Sequence, residues 1–158
     1  MAIAQRLITI IFCVGVSFGQ RIPVDLFEPV VITTEQEYRI KTLDSIETKT
    51  LEQKEELALL YASIRAYEQS FDILSNLSKE QPDNYKYQYL LGGIAGILAS
   101  EMSQVKSLPY VRAMKTAFEQ AARIAPDSLT IQLVLLELYA ELPWVLGGSN
   151  KKANRALN

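Results

Sequence analysis

The sequence predicts an all-α fold, a stack of antiparallel helix pairs, and three observations predict it. Apolar residues recur at helical spacing, as in Leu57, Leu60, Tyr61 and Ile64, while Glu52, Lys54, Glu55 and Glu56 take the wet face. Capping-box patterns open two such stretches, Thr34 with Glu37 and Thr50 with Gln53. Pro82 and Pro126 close two others, because proline cannot continue a helix and pushes the residue before it out of helical geometry.

The stretch from Leu51 to Asn84 shows the unit most plainly. Its second apolar stripe runs through Tyr67, Phe71, Leu74 and Leu77 and stops near Lys79 or Glu80, ahead of Pro82. Two helices joined by so few residues must pack antiparallel, since neither buries its stripe alone. Leu57, Ala58 and Tyr61, then Ser70 and Leu74, then Pro82 reproduce an L-G-x2-Y, A-x3-F, P spacing, with Lys54 in the leading Trp place. Leu91 and Gly92 restate the L-G pair, with Gln88 in the Trp place and Ala95 in the Tyr place. Met114, Phe118 and Pro126 restate the rest. Gln132, Leu135, Leu136 and Tyr139 open a third copy, with Ala153 and Leu157 in its A-x3-F places.

This spacing resembles the tetratricopeptide repeat. The resemblance covers residues 51–158 and implies a right-handed antiparallel helix-pair solenoid, a superhelix of the tetratricopeptide type. The expected units are a half-repeat 34–50, a repeat 51–84, a repeat 85–128 carrying an insertion, and a partial repeat 129–158. Pro82 to Pro126 spans 44 residues, and the ten beyond the family's usual 34 are expected as an insertion between helices at Ser100–Pro109. The expected helices are 34–47, 51–65, 68–80, 83–101, 108–124, 128–141 and 150–158. Leu57, Tyr61, Leu74, Leu91, Phe118, Leu135 and Tyr139 are expected to be buried.

Residues 1–19 read as a signal peptide. Arg6 is their only charge, Leu7 to Val16 is an uncharged run, and Ser17-Phe18-Gly19 supplies small residues for cleavage before Gln20. The run is shorter than the ~20 residues of an ordinary membrane span, though an uncleaved N-terminal anchor is the alternative. Cys13 lacks the preceding small residue of a lipoprotein signal. An exported chain, periplasmic or secreted, is the expectation. Cys13 is the only cysteine and the chain contains no histidine, so the mature part offers no disulfide and none of the usual zinc, copper or haem ligands. No metal and no cofactor is expected. A net charge of −2 gives no basic excess for nucleic acid.

Residues 20–33, with Pro23 and Pro29 among Val24, Leu26, Phe27, Val30 and Val31, read as an extended N-terminal segment. Tyr38, Ile40, Leu43 and Ile46 then continue a helical stripe. Tyr87 to Ser100 carries no charge, and Gly92 and Gly96 form a G-x-x-x-G. Lys86 and Glu101 bracket it too tightly for a bilayer, so a central helix touching neighbours on two sides is the better reading. Glycines cost roughly 1 kcal/mol each against alanine in a helix. They point to close approach of a neighbouring helix or of a ligand.

Candidate chemistry is sparse. Glu137 and Glu141 share one helix face, either as an acid–base or cation-binding pair or as an acidic groove lining. Gly147-Gly148-Ser149-Asn150-Lys151-Lys152 fails the phosphate-loop pattern and reads as the cap of a last helix. The wider string from Leu142 to Ala153 resembles a linker of some bacterial tetratricopeptide proteins. Asn76-Leu77-Ser78 fits a glycosylation sequon but falls on an expected helix. The short last unit leaves Leu135, Leu136, Leu138 and Trp144 little to cover them, so a fragment, or self-association through the C-terminal end, is expected.

What remains is a surface. The resemblance implies a concave groove lined by the first helix of each repeat, where a protein or peptide docks. Its candidate binding residues are Glu55, Leu59 and Ser63 in the first repeat, and Tyr89, Gly93, Gly96 and Ile97 in the second. Leu133, Glu137 and Glu141 follow in the third. The expected function is non-catalytic binding in a cell envelope, with the partner unidentified and with no nucleic acid and no membrane span in the mature chain. The alternative is a small-ligand protein or carboxylate-dependent hydrolase around Tyr89, Glu137 and Glu141.

Overall fold

The computed structural model describes residues 31–142 together with Leu146, Gly148 and Ser149. Among these residues it is all-helical, with six α-helices and no strand. They are α1 (Thr34–Asp44), α2 (Leu51–Ser63), α3 (Tyr67–Glu80), α4 (Tyr85–Glu101), α5 (Gln104–Ile124) and α6 (Leu129–Glu141). The expected leader 1–19, most of the segment 20–33 and the last helix 150–158 lie outside the described residues.

Local signals explain most of the helix ends. Thr50 and Gln53 form the capping box expected at α2. At α1 the box sits one residue earlier than expected, with Thr33 and Gln36 as its members. That helix also stops at Asp44 rather than running on to 47. There the Lys49 ammonium donates to the carbonyls of Asp44 and Ile46, satisfying groups that a helix end leaves open. α2 ends in a Schellman arrangement, Ala66 N–H to Tyr61 C=O and Arg65 N–H to Ala62 C=O, with Arg65 left-handed at φ 60°. The sequence carries no glycine there, which is why the boundary reads two residues too long. Asn84 caps α4 through its side chain, and α3 ends as Pro82 dictates.

The insertion expected at Ser100–Pro109 is not a loop. Its residues are absorbed into longer helices, 17 residues in α4 and 21 in α5 against 13 and 14 in α2 and α3. Pro109 lies inside α5. It is the sixth residue of the helix, so its missing N–H leaves the Val105 carbonyl without its i+4 ladder bond, just after the ladder begins at Ser107.

Consecutive helices make the main contacts, most extensively α4 with α5. Two apolar clusters result. The first gathers Ala58, Leu74, Leu77, Tyr87, Leu91, Ile94 and Leu98, from α2, α3 and α4. The second gathers Ala95, Met114, Phe118, Val134, Leu135 and Leu138, from α4, α5 and α6. α4 therefore contributes to both clusters, which is the reason for its uncharged sequence from Tyr87 to Ser100. Leu57, Leu74, Leu91, Phe118 and Leu135 are buried as expected. Tyr61 and Tyr139 are only half-buried, because each phenol reaches out to a carboxylate on the preceding helix.

Gly92 sets the approach of α4 to α5. A Cβ there would lie 2.7–2.9 Å from three atoms of the Phe118 ring. The close approach is thus to a neighbouring helix, one of the two readings the glycine spacing allows.

Phe118→Ala should lower stability by about 3–5 kcal/mol, the range for a fully buried aromatic, read as a shift of the urea midpoint. Ser70 offers a contrasting test. It is wholly buried, and its hydroxyl has no hydrogen-bond partner. Ser70→Ala should leave the urea midpoint unchanged or raise it, since it removes an unpaired buried hydroxyl at little loss of volume.

Candidate binding groove

The first helices α2, α4 and α6 carry the expected groove residues, and charge pairing joins two of these helices. Lys86 at the start of α4 forms an ion pair with Glu55 on the first half of α2. Tyr87 also hydrogen-bonds Glu55. α2 and α4 thus lie with their N-terminal halves together. α4 and α6 are linked through the second cluster, where Ala95 meets Val134, Leu135 and Leu138.

The ten expected residues differ in what they offer a ligand. Ser63 and Leu133 are exposed. Glu55, Leu59, Tyr89, Gly93, Ile97, Glu137 and Glu141 are half-buried, and Gly96 is buried. Ser63 is also engaged internally, accepting from the Gln36 side chain of α1 at 3.1 Å. The Tyr89 ring packs on Phe118, with centroids 5.9 Å apart, and burial pushes its phenol above the usual range. Ile97 packs against the first apolar cluster. Tyr89 and Ile97 therefore hold the helices together as well as lining the groove.

The electrostatics are uneven along the groove. At the α2 end the Glu55 charge is balanced by Lys86. At the α6 end burial, then the neighbouring Glu141, pushes the Glu137 carboxyl up. No ion pair among the described residues involves Glu137 or Glu141. Leu129 and Leu133 precede them on the same helix at four-residue spacing, 74% and 42% exposed. α6 therefore presents two uncovered leucines followed by two carboxylates.

Beyond α6 the chain folds back. The Ser149 N–H donates to the Tyr139 carbonyl at 2.9 Å, and Leu146 packs on the second cluster. A Cβ on Gly148 would fall 1.7 Å from the Leu142 carbonyl oxygen, so only glycine fits. The sequon residues lie on α3, with Leu77 and Ser78 buried, so a glycosyl acceptor loop is not what the fold presents.

Sequence reasoning missed a second concavity. A pocket of about 410 Å³ lies between α1 and α2, lined by Thr33, Gln36, Tyr38, Arg39, Glu56 and Leu60 among others. Arg39 grips Glu56 with both arms at 2.5 and 2.7 Å, which holds the Glu56 carboxyl below its usual range. The pairing crosses 17 residues of sequence, so no local spacing rule reveals it. The same is true of Tyr61 donating to Asp44 at 2.5 Å and Tyr139 donating to Glu119 at 2.7 Å.

Among the described residues no cluster of potential metal ligands forms, and no helix is long and apolar enough to cross a membrane. No family profile, no curated protein and no solved structure matches this chain. The resemblance to the tetratricopeptide repeat rests on residue spacing.

Burial, then the bond to Asp44, pushes the Tyr61 phenol up to about 12 from an ordinary 10.0. A raised folded-state value means the native state keeps a proton that the unfolded chain loses. The stabilisation is complete below pH 10 and disappears as pH rises towards 12. A Tyr61→Phe variant should therefore lose less stability than the parent between those pH values, measured as urea midpoint against pH.

Proposed function

We propose that this chain is a non-catalytic binding scaffold with a solenoid of tetratricopeptide type, exported to a cell envelope, whose groove along α2, α4 and α6 docks a peptide or protein segment. The observation that carries the reading is α6, where Leu129 and Leu133 stand exposed beside carboxylates that have no cationic partner among the described residues. A charged face without an internal counterion, next to uncovered apolar side chains, suits a ligand with apolar and basic groups in that order. The ion pair of Lys86 with Glu55 supports a groove in which first helices lie side by side. It also balances the Glu55 charge at the α2 end, so the ligand needs basic residues at one end only. Export is supported by the sequence of residues 1–19.

The raised Glu137 carboxyl favours a second reading, a carboxylate-dependent hydrolase or small-ligand site, because acid–base work needs one protonated and one ionised group. Tyr89, the third group of that reading, is occupied in packing against Phe118. The binding reading therefore ranks first.

Synthetic peptides with an apolar centre and one basic end should bind more tightly than the same peptides with acidic ends, measured by fluorescence anisotropy. Replacing Glu137 and Glu141 together by lysine should weaken binding by at least about tenfold, since two charge-assisted contacts are lost. The far-ultraviolet circular dichroism should not change. Equal affinity for basic and acidic peptides, or an unaffected double variant, overturns the proposal. Tyr89→Ala is a poor substitute, because it also removes a ring from the second cluster.

A further inference from the structure

The tip of the α4–α5 hairpin is a separate surface that the groove does not use. Lys86, the second residue of α4, pairs with Glu55, the fifth of α2, so along their shared direction α4 begins no earlier than α2. α4 has 17 residues against 13 in α2, so its far end reaches about 6 Å further at 1.5 Å per residue. α5 follows after two residues and runs back from the same tip. The hairpin therefore projects past its neighbour.

What it projects is unusual for exposed chain. Val105 is 79% exposed and Leu108 36%, and Pro109 and Arg112 are exposed with them. These four residues fall at i, i+3, i+4 and i+7, which is one face of a helix. Lys106 is exposed beside them. Among the described residues neither Lys106 nor Arg112 forms an ion pair, and α5 has no acidic residue in its first turn. Ser103 at its N-cap makes no side-chain capping bond. Apolar points and cations thus share one tip with a single carboxylate, Glu101 at the end of α4, whose charge neighbour is Arg65.

We infer that this tip docks on an anionic lipid surface, with Val105 and Leu108 entering the headgroup layer while Lys106 and Arg112 meet lipid phosphates. Size decides against a protein partner. A stable protein interface needs about 800 Å² on each side, more than one protruding helical turn supplies. A lipid surface needs only a few apolar side chains combined with cations, each basic residue adding attraction to anionic headgroups. The inference is independent of the groove reading, because it uses α5 rather than α2, α4 or α6.

The test uses the full chain with vesicles of phosphatidylglycerol and phosphatidylcholine, and with vesicles of phosphatidylcholine alone. Residues 7–16 are themselves apolar, so the readout must belong to the tip. A Leu108→Trp variant supplies it, once the signal of the single native tryptophan is subtracted. Its emission should shift to the blue with anionic vesicles, and the shift should fade as salt rises. Lys106→Glu with Arg112→Glu should lower partitioning by about tenfold or more. Val105→Asp with Leu108→Asp should lower it similarly, and both sites are exposed enough to spare the fold. The inference is overturned if L108W emission stays unchanged on anionic vesicles, or if either double variant partitions like the parent. A blue shift produced by soluble polyglutamate but not by vesicles also overturns it, in favour of an acidic polypeptide.

Discussion

The absence of a side chain at Gly92 is the constraint on which the rest of the structure depends. It lets the Phe118 ring lie against the α4 backbone, where any Cβ would sit closer than 3 Å to ring carbons. The same ring meets Tyr89 and belongs to the cluster that α6 covers through Val134, Leu135 and Leu138. Moving α5 outward to admit a methyl group would therefore disturb α6 as well. Glycine costs helix propensity at this position, and close packing of an aromatic ring offsets that cost.

Much of the fold was legible because its determinants are local. Apolar periodicity, the Thr50–Gln53 box and Pro82 each act within a few residues, so the positions of α2 and α3 could be read directly. The reading failed where tertiary contacts decide. Ten residues beyond the usual repeat length could equally lengthen helices or form a loop. Proline argued for a loop, yet packing of Tyr110 on Phe71, with ring centroids 5.2 Å apart, anchors the first turns of α5 beside Pro109. Arg65 was illegible for a different reason. A left-handed residue that is not glycine leaves no compositional mark.

For the candidate groove residues, their helices were legible and their charge pairing was not. Spacing placed Glu55, Leu133, Glu137 and Glu141 on first helices, but spacing is silent on which carboxylates find a counterion. Lys86 lies 31 residues from Glu55, and only the tertiary fold brings them together. With Glu55 paired and Glu137 and Glu141 not, among the described residues, the proposed groove is polarised. A ligand would be oriented by it, since reversing the ligand would place its basic end over a neutralised site.

The order of contacts along the chain has a kinetic consequence. Each helix packs chiefly on its sequence neighbour, so few native contacts require distant segments to meet first. A chain of this kind closes short loops in succession and folds quickly for its size. It also opens from its ends. α1 rests on α2 through one deeply buried side chain, Leu43, and a few surface bonds. The α4–α5 pair, in contrast, is gripped from both sides. Amide protons should therefore escape from α1 through local fraying long before those of α4, whose exchange awaits the opening of the whole.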